Sequence, residues 1–593
     1  NYIMEPNAID DGDSPRIKSK LKTTTISTAY NIVLQIGLRI FSFIINAFIL
    51  RFITKETLGI INVRLLLLYT TIQFTTREPF RRTCAPNNSV DDDDHNVSKS
   101  MNQKAWSKVV NITFLSIPLS FITGLTFSII WYKVFERPEH LLSEYQWAIM
   151  SIYVSVIIES MAETFFIYGQ RYDYIRLKVI VEGIFQTVRC SLLAIFVYIS
   201  PEHSVFGFAI AQLVASTIYT LTYYIYFLFK MKIPMTTFLP RFLREKNDED
   251  YNMKTDELSL LKTSLTFFYN SLLKQFLTEG ERYIMTMFSV ISFAEQGVYD
   301  VINNLGSLPA RIIFQQIEEN GYILFSSLIK RDLDASQQTT KIIKSLSICS
   351  NLTKLMTIIG LTLFTYGYHG AMIVLSVYGG SNFLHGTYGT LAIRLFQWHC
   401  IYIIFIAING ILESYSFAVM NTGQLNRFNV KLMITSIIFT AISLIITSYV
   451  GSIGFIMANC LNMMTRIIIS LLFIGNVYPN YSLWIFIRQT RPNIHTMLSY
   501  VIIFIGLSTL YRWLDLIDIH TFLWSQAIIF IIINAIVAIC HLIFLYFFET
   551  NSIVFFCSLF FIFNPFFSAN LPGANDFLII IIYILVIIFL FFN

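Results

Sequence analysis

The sequence is poor in charge. Only 13% of its 593 residues are Asp, Glu, Lys or Arg, whereas about 25% of residues are charged in a typical soluble domain. Hydrophobic residues make up 55% of the chain, and the mean hydropathy is +0.60. A chain of this length cannot cover a soluble surface with so few charges. The composition therefore excludes a set of soluble domains and predicts a polytopic membrane protein.

Motifs for nucleotide binding and for metal chemistry are also missing. The seven cysteines stand singly, without a CxxC pair or a Cys/His cluster, which argues against a zinc site and against a disulfide framework. The sequence has no Walker A motif, no dinucleotide-binding fingerprint and no HExxH motif. These absences exclude a pump with its own ATPase domain. We expect no catalytic residues, no cofactor, no metal and no nucleic-acid partner.

Apolar segments of about 20 residues, the length of a spanning helix, recur along the chain. We predict fourteen spans in an all-α polytopic membrane protein, arranged as two six-helix lobes in parallel repeat plus two additional helices. Spans seven (264–290) and eight (296–328) are the least apolar of the fourteen. The predicted segments are a cytosolic N-terminal tail (1–25), the N-lobe with spans one to six (26–230), a cytosolic linker (231–258), the C-lobe with spans seven to twelve (259–494), spans 13 and 14 (495–548) and an atypical apolar C-terminal extension (549–593).

A weak internal echo supports the parallel repeat. A triplet at the end of span one recurs with identical spacing at the end of span seven. Because six spans separate the two copies, they have the same orientation in the membrane, as expected for repeats related by an axis along the membrane normal. The first triplet is Ile53, Gly59 and Val63, and the second is Ile291, Gly297 and Val301.

Lys and Arg residues are unevenly distributed between the two sets of loops. Twenty-eight lie in the N-terminal tail and the loops on its side, and five lie on the opposite side. Since Lys and Arg collect in cytoplasmic loops, both ends of the fourteen-span core are predicted to be cytosolic. The run Asp91–Asp94 in the loop after span two is then a solvated stretch, and the glycosylation sequons at Asn87 and Asn96 should carry no glycan.

Nine basic residues remain within the predicted spans, where an isolated charge is expensive. Basic groups near span ends, as at Arg64, Arg394 and Lys354, have a structural alternative, because a long side chain can reach the membrane interface. Glu279 and Arg282 are spaced to pair on one helix face, and Arg189 is spaced to pair with Glu182. The excess of guanidinium groups nevertheless favours an anionic substrate, since guanidinium binds phosphate through two parallel hydrogen bonds.

Several longer motifs resemble those of the Rft family, from about Ile26 to Glu549. The block around spans seven and eight is the most specific. The matching segments are 46–52, 59–65, 77–82, 277–283, 296–308, 311–319, 378–380, 407–410 with Glu413, and 451–462 with Arg466. Two features depart from the family pattern: the acidic insertion around Asp91–Asp94 and the extension that follows Glu549.

The resemblance implies a fold similar to the multidrug/oligosaccharidyl-lipid/polysaccharide exporters. It also implies translocation of the dolichol diphosphate-linked pentamannosyl di-N-acetylglucosamine intermediate from the cytosolic to the luminal leaflet of the endoplasmic reticulum (ER) membrane, for protein N-glycosylation. The implied partners are this dolichol-linked oligosaccharide, ER membrane lipid and the N-glycosylation machinery. An alternative is a non-transporting ER protein that binds or chaperones the lipid-linked oligosaccharide. A drug antiporter fits less well, because the first span carries Arg39 and no carboxylate.

The candidate site consists of basic residues for the diphosphate and ion pairs for gating. Arg77 and Arg81 lie one helical turn apart at the cytosolic end of span two, and Lys178 lies in the predicted loop before span five. Arg311 and Arg466 are expected to face the first lobe across a cavity. The full substrate-binding set is Arg51, Arg64, Arg77, Arg81, Lys178, Arg311 and Arg466, and the gating pairs are expected among Glu279, Glu281 and Arg282.

Overall fold

The computed structural model describes residues 37–38, 40–84, 98–172, 174–240, 248–329, 338–478, 482–514 and 524–549, and within these ranges every regular element is helical. The predicted N-terminal tail, Asp91–Asp94 with both sequons, and the C-terminal extension beyond Glu549 lie outside the described residues. The described helices are α1 (Ile40–Leu50), α2 (Lys55–Gly59), α3 (Leu66–Thr83), α4 (Ser98–Phe114), α5 (Ser116–Lys133), α6 (Leu142–Ser160), α7 (Glu163–Arg171), α8 (Ile175–Ile199), α9 (Ser204–Tyr224), α10 (Asp248–Thr278), α11 (Gly280–Phe288), α12 (Phe293–Gly306), α13 (Gln315–Leu328), α14 (Thr339–Leu384), α15 (Thr387–Val419), α16 (Thr422–Val450), α17 (Ile453–Val477), α18 (Leu483–Thr490), α19 (Ile494–Trp513) and α20 (Trp524–Phe548).

Ten of the described helices are long and apolar enough to cross a membrane, and the bent pair α6–α7 raises the number to eleven. The chain is therefore a multi-pass α-helical membrane protein. The regions predicted as spans seven and eight are interrupted. Glu279 separates α10 from α11, and a π-helical turn at Ala310–Phe314 separates α12 from α13. These regions were also the least apolar in the sequence, so charge and helix breaks coincide there.

The described chain divides into two compact units. Unit 1 contains the described residues up to Ile53 and Arg64–Thr278, and unit 2 contains Thr54–Val63 and the described residues from Glu279 onward. The core of unit 1 is aromatic: the Phe165 and Phe238 rings stack with centroids 4.1 Å apart, and Phe227 packs beside them. The core of unit 2 forms around α13, α14 and α15.

Small residues allow close helix packing in unit 2, as expected where lipid gives no hydrophobic drive between helices. A Cβ added at Gly59 would lie 1.9 Å from the backbone oxygen of Phe293, and a Cβ added at Gly297 would lie 2.3 Å from the backbone oxygen of Lys55. The two glycines of the repeated triplets therefore pack against each other's helices. Gly59 meets the backbone of Phe293, four residues before Gly297, and Gly297 meets the backbone of Lys55, four residues before Gly59. Neither position has room for a side chain.

Equivalent caps begin the two helices that carry these glycines. The Thr54 side chain accepts a hydrogen bond from the Thr57 backbone N–H (3.2 Å), and the Ser292 side chain accepts one from the Glu295 backbone N–H (3.3 Å). Such hydroxyl caps satisfy an amide that has no partner within the helix. The same local structure thus recurs at α2 and at α12.

Candidate functional site

Two arginines and two glutamates form a buried ladder in unit 1. Arg77 and Arg81 stand one turn apart on α3. Glu159 lies in the last turn of α6 and Glu163 begins α7, where the helix pair bends by 43°. Arg77 Nη2 lies 2.5 Å from Glu159 Oε2. Arg81 donates two hydrogen bonds to Glu163, one from Nε to Oε1 and one from Nη2 to Oε2 (3.0 Å). The ladder is electrically neutral, which is how buried arginines are tolerated away from water.

Glu159 is held by neutral donors as well as by Arg77. The Tyr69 hydroxyl donates to it at 3.0–3.1 Å, the Ser216 hydroxyl at 2.5 Å and the Gln73 amide at 3.4 Å. The side chains of Arg77 and Glu159 are 4% and 1% exposed. The Arg77–Glu159 pair is therefore a fixed, buried rung of the ladder.

The Arg81–Glu163 rung lies closer to the surface. The Arg81 side chain is 22% exposed, and its guanidinium stacks 3.6 Å from the centre of the Phe166 ring. Lys178 Nζ lies 5.2 Å from the centre of the same ring, within the range of a cation–π interaction. Lys178 belongs to α8, so its predicted location in a loop is wrong. The structure nevertheless brings two predicted binding residues, Arg81 and Lys178, to one aromatic ring.

The remaining predicted residues of unit 1 differ in exposure. Arg51 is exposed in the turn after α1. The Arg64 side chain is completely buried, with Nη2 3.8 Å from Glu136, and its backbone oxygen accepts a hydrogen bond from the Trp131 ring N–H (3.0 Å). Protein surrounds the Arg64 side chain, and its carboxylate partner Glu136 is half-exposed in the loop between α5 and α6.

Unit 2 contains the predicted gating residues. Arg282 donates to Glu279 (2.9 Å), which confirms the predicted pair, and also to Asp300 (2.7 Å). Asp300 in turn accepts a hydrogen bond from the Asn304 amide (2.9 Å). Arg282 therefore has two carboxylate partners on two helical segments.

Glu281, the third predicted gating residue, has neutral hydrogen-bond donors as its partners. Its carboxylate accepts hydrogen bonds from the Tyr299 hydroxyl (2.6 Å) and from the Asn459 amide. These neutral donors join the short helix α11 to α12 and α17. Glu281 is thus anchored separately from the Arg282 pairs.

Arg466 and Arg311 occupy separate settings in unit 2. Arg466 pairs with Glu413, which also accepts a hydrogen bond from Asn409 (2.7 Å). Arg311 is exposed and donates to the backbone oxygen of Asn304 (2.6 Å) and to the Ser307 hydroxyl (2.8 Å).

Four carboxylates belong to the site, although the sequence did not indicate them as members of it. Glu159, Glu163, Asp300 and Glu413 are each the partner of a predicted arginine. The sequence did contain one indication of this arrangement. Glu159 and Glu163 have the same four-residue spacing as Arg77 and Arg81, so two adjacent helices can pair each glutamate with one arginine. Across the described ranges, no group of three or more His, Cys, Asp or Glu residues is placed to hold a metal ion.

A multi-pass helical bundle with buried, neutralised arginines is the class of protein that these features define. Its fold is similar to that of a solved lipid II flippase, MurJ, in an inward closed conformation. That structure has a TM-score of 0.54 and 13% sequence identity, and the match covers 88% of this chain and 100% of that chain. The likeness concerns the fold.

The chain belongs to the Rft protein family, whose model matches residues 23–559. A relative from Xenopus tropicalis, named Man(5)GlcNAc(2)-PP-dolichol translocation protein RFT1, is 36% identical over 471 residues, covering 77% of this chain and 83% of the relative. The proteins of the same name from Drosophila melanogaster and Saccharomyces cerevisiae are 32% and 26% identical, covering 79% and 76% of this chain and 87% and 82% of the relatives. The resemblance inferred from the motifs is confirmed.

Proposed function

We propose that this protein moves the dolichol diphosphate-linked Man5GlcNAc2 intermediate from the cytosolic to the luminal leaflet of the ER membrane, for N-glycosylation. The observation that carries the proposal is membership of the Rft family over nearly the whole chain, together with relatives named for that translocation. The N-terminus is cytosolic in this proposal. The lipid-linked oligosaccharide is the substrate, and the glycosylation machinery is its downstream partner.

The fourteen-span arrangement is part of the proposal. Eleven spans meet the length and hydropathy criteria when α6–α7 is taken as one. The other three correspond in order to α1, α10–α11 and α12–α13. The described part of α1 is short, and the other two pairs are broken and charged. The echo of caps and glycines at α2 and α12 supports two six-helix lobes in parallel repeat, 26–230 and 259–494, followed by α19 and α20 as the additional helices.

Exchange of partners at Arg81 provides a way to bind a diphosphate. Carboxylate and phosphate present the same forked acceptor geometry to a guanidinium, so a lipid diphosphate can replace Glu163 on Arg81 without leaving an unpaired arginine. The buried Glu163 then keeps a cation nearby, because Arg77 Nε lies 3.8 Å from its Oε2. Glu159 is fixed by three neutral donors besides Arg77, whereas Arg81 is partly exposed and adjoins Lys178. Arg81 and Lys178 are therefore the proposed first contacts of the diphosphate.

The other predicted residues have later roles in this proposal. Arg51, Arg64, Arg77, Arg311 and Arg466 belong to the proposed substrate path. The choice of Arg282 between Glu279 and Asp300 provides a switchable contact in unit 2, because losing one partner still leaves the guanidinium paired. Glu281 holds α11 in position through Tyr299 and Asn459.

Reconstitution tests this proposal against the non-transporting alternative. Purified protein in vesicles that contain the heptasaccharide lipid should accelerate exchange of that lipid between leaflets, and Arg81→Lys should slow it. Saturable binding of the lipid without any acceleration of exchange would support the alternative, a protein that binds or chaperones the intermediate.

A further inference from the structure

A cavity of about 90 Å3 lies within unit 2, and its lining contains none of the ion-paired residues described above. Its walls come from α12 and the turn that follows it, from α14, α15 and α20. Side chains such as Leu363, Val377 and Phe530 make the lining almost entirely apolar. Because three of these helices are long and apolar enough to cross a membrane, the cavity lies among spanning segments.

Glycine opens the cavity on one wall. A Cβ added at Gly370 would meet no atom within 4 Å, so this glycine faces empty space. A Cβ added at Gly367 would lie 3.1 Å from Cys400 Sγ, and one added at Gly306 would lie 2.2 Å from the His399 ring. Gly306 and Gly367 thus serve packing, and Gly370 borders the hollow.

A single polar group in the lining has no partner. Asn534 is 3% exposed, and its Oδ1 accepts no hydrogen bond from any residue in the part of the chain that the structure describes. The lining also contains the hydroxyl of Tyr366, which has a partner, since it lies 3.1 Å from His541 Nδ1. A buried carbonyl oxygen without a donor is costly. The unpaired Oδ1 of Asn534 therefore indicates a ligand that carries a hydrogen-bond donor.

The lining restricts the chemistry of that ligand. A bound water typically needs two to four polar partners, and among the lining side chains Asn534 Oδ1 is the one buried oxygen or nitrogen without a partner. A sugar or phosphate group would bring several polar atoms against apolar walls. A plain hydrocarbon chain would leave Asn534 unpaired. A ligand with one hydroxyl on a hydrocarbon body matches both the apolar walls and the single unpaired oxygen of Asn534.

We propose that this cavity binds the hydroxyl end of a neutral membrane lipid, a sterol or a polyisoprenol, with the hydroxyl donating to Asn534 Oδ1. Asn534 lies ten residues along α20 from Trp524, about 15 Å at the rise of an α-helix. With Trp524 at a membrane interface, where tryptophan is enriched, the hydroxyl is held within the hydrocarbon region and water does not compete for it. The remaining carbons extend along the apolar walls towards Gly370.

Photolabelling of the full chain in phosphatidylcholine nanodiscs tests the site. The probes are a diazirine-bearing sterol and a diazirine-bearing polyprenol, and mass spectrometry maps the labelled peptides. We expect at least one probe to label α14 or α20 saturably. An excess of the unlabelled free alcohol should compete, and its methyl ether, which cannot donate a hydrogen bond, should not. The probe that labels identifies the source of the hydroxyl.

Substitutions on two walls make the test specific. Gly370→Phe fills the hollow, and Asn534→Leu keeps the size of the side chain but removes the acceptor. Each should lower labelling about fivefold or more, as expected for the loss of one buried hydrogen bond or of the space itself. Gly506→Phe is the matched control, because Gly506 also has no atom within 4 Å of an added Cβ but lies on the exposed face of α19.

Three results would overturn the proposal: no saturable labelling of α14 or α20, equal competition by the methyl ether, or labelling unchanged in Asn534→Leu. If Gly370→Phe fails to fold, the near-isosteric Asn534→Leu variant still decides. Leaflet exchange plays no part in this readout, so its outcome is independent of the proposed translocation.

Discussion

Lys354 on α14 forms a buried ion pair with Glu549 at the end of α20. The same carboxylate accepts hydrogen bonds from the Asn493 backbone N–H (2.7 Å) and the Thr496 hydroxyl (2.9 Å) at the start of α19. One side chain thus joins three helices, and it is fully buried. Lys354 thus has a carboxylate partner at the ends of α19 and α20.

The place at which the chain is shortened should decide the outcome of C-terminal truncation. A chain that ends after Thr550 keeps Glu549 and should retain its thermal stability and its support of glycosylation. A chain that ends after Phe548 loses the side chain that joins α14, α19 and α20, and it should melt at a lower temperature, because the terminal carboxylate on Phe548 cannot make all of these contacts. Melting of the detergent-solubilised protein, followed by size-exclusion chromatography, measures the difference.

The replacement Lys354→Met in the shorter chain provides the control, because it removes the cation that pairs with Glu549 and should recover part of the loss. Equal melting temperatures for the two truncated chains would show that Glu549 contributes no stability. A loss of glycosylation in the chain that ends after Thr550, at normal abundance, would show that the predicted dispensability of the extension is wrong.

Arg81→Lys should impair glycosylation in cells that lack the native protein, at normal expression. Lysine keeps the charge but cannot grip a carboxylate or a phosphate with two parallel hydrogen bonds. Arg82→Lys is the matched control, since Arg82 makes a more exposed pair with Glu78 (2.7 Å) one turn away on the same helix. Full rescue by Arg81→Lys, measured by the occupancy of a reporter glycoprotein, would leave Arg81 with a structural role only.

Arg77→Ala should destabilise the protein by about 3–5 kcal/mol, because Glu159 would remain as a buried charge without its cation. The double replacement Arg77→Met with Glu159→Met should be less harmful than Arg77→Ala. Thermal melting in detergent compares them. If the double variant were the less stable of the two, the pair would contribute more than mutual neutralisation.

Gly59→Ala and Gly297→Ala should each lower stability by about 1–3 kcal/mol or more, the usual cost of overpacking. In both cases the new methyl group would meet backbone, which cannot move aside as a side chain can. Gly506→Ala should have little effect. Thermal melting measures all three, and tolerance of either alanine would show that α2 and α12 can separate at little cost.

Asn87 and Asn96 should carry no glycan, because the distribution of Lys and Arg places their loop in the cytosol. The measurement is the electrophoretic mobility of the protein with and without endoglycosidase. A mobility shift that disappears when both asparagines are replaced by glutamine would place the loop in the lumen and contradict the predicted topology.

Composition and periodicity were sufficient for the helical, membrane-spanning class, because apolar runs of spanning length need no tertiary information. The motifs were sufficient for the family. The sequence also predicted the Glu279–Arg282 pair, which lies within one helical turn. It did not predict Arg77–Glu159, Arg466–Glu413 or Lys354–Glu549, because each pair joins helices far apart in the sequence and depends on which faces meet.

The position of Lys178 shows a second limit. Polar residues at 170–178 indicated a loop, but the local helix bonds of α8 begin at Ile175. Arg64 shows the same limit for burial. Its position near the end of a predicted span suggested a side chain exposed at the membrane interface. In the structure the side chain is completely buried beside Glu136, and the Trp131 ring N–H donates to the Arg64 backbone oxygen. Local patterns predict helices well and predict the surroundings of a long side chain poorly.

The π-helical turn Ile60–Leu65 contains the point, between Val63 and Arg64, at which the chain passes from unit 2 to unit 1. A π turn holds one more residue than an α turn. The boundary between the two units therefore falls inside one continuous helical span, Lys55–Thr83, at the turn that holds the extra residue. The glycine contact of α2 and the arginine ladder of α3 thus belong to one helical span but to different units.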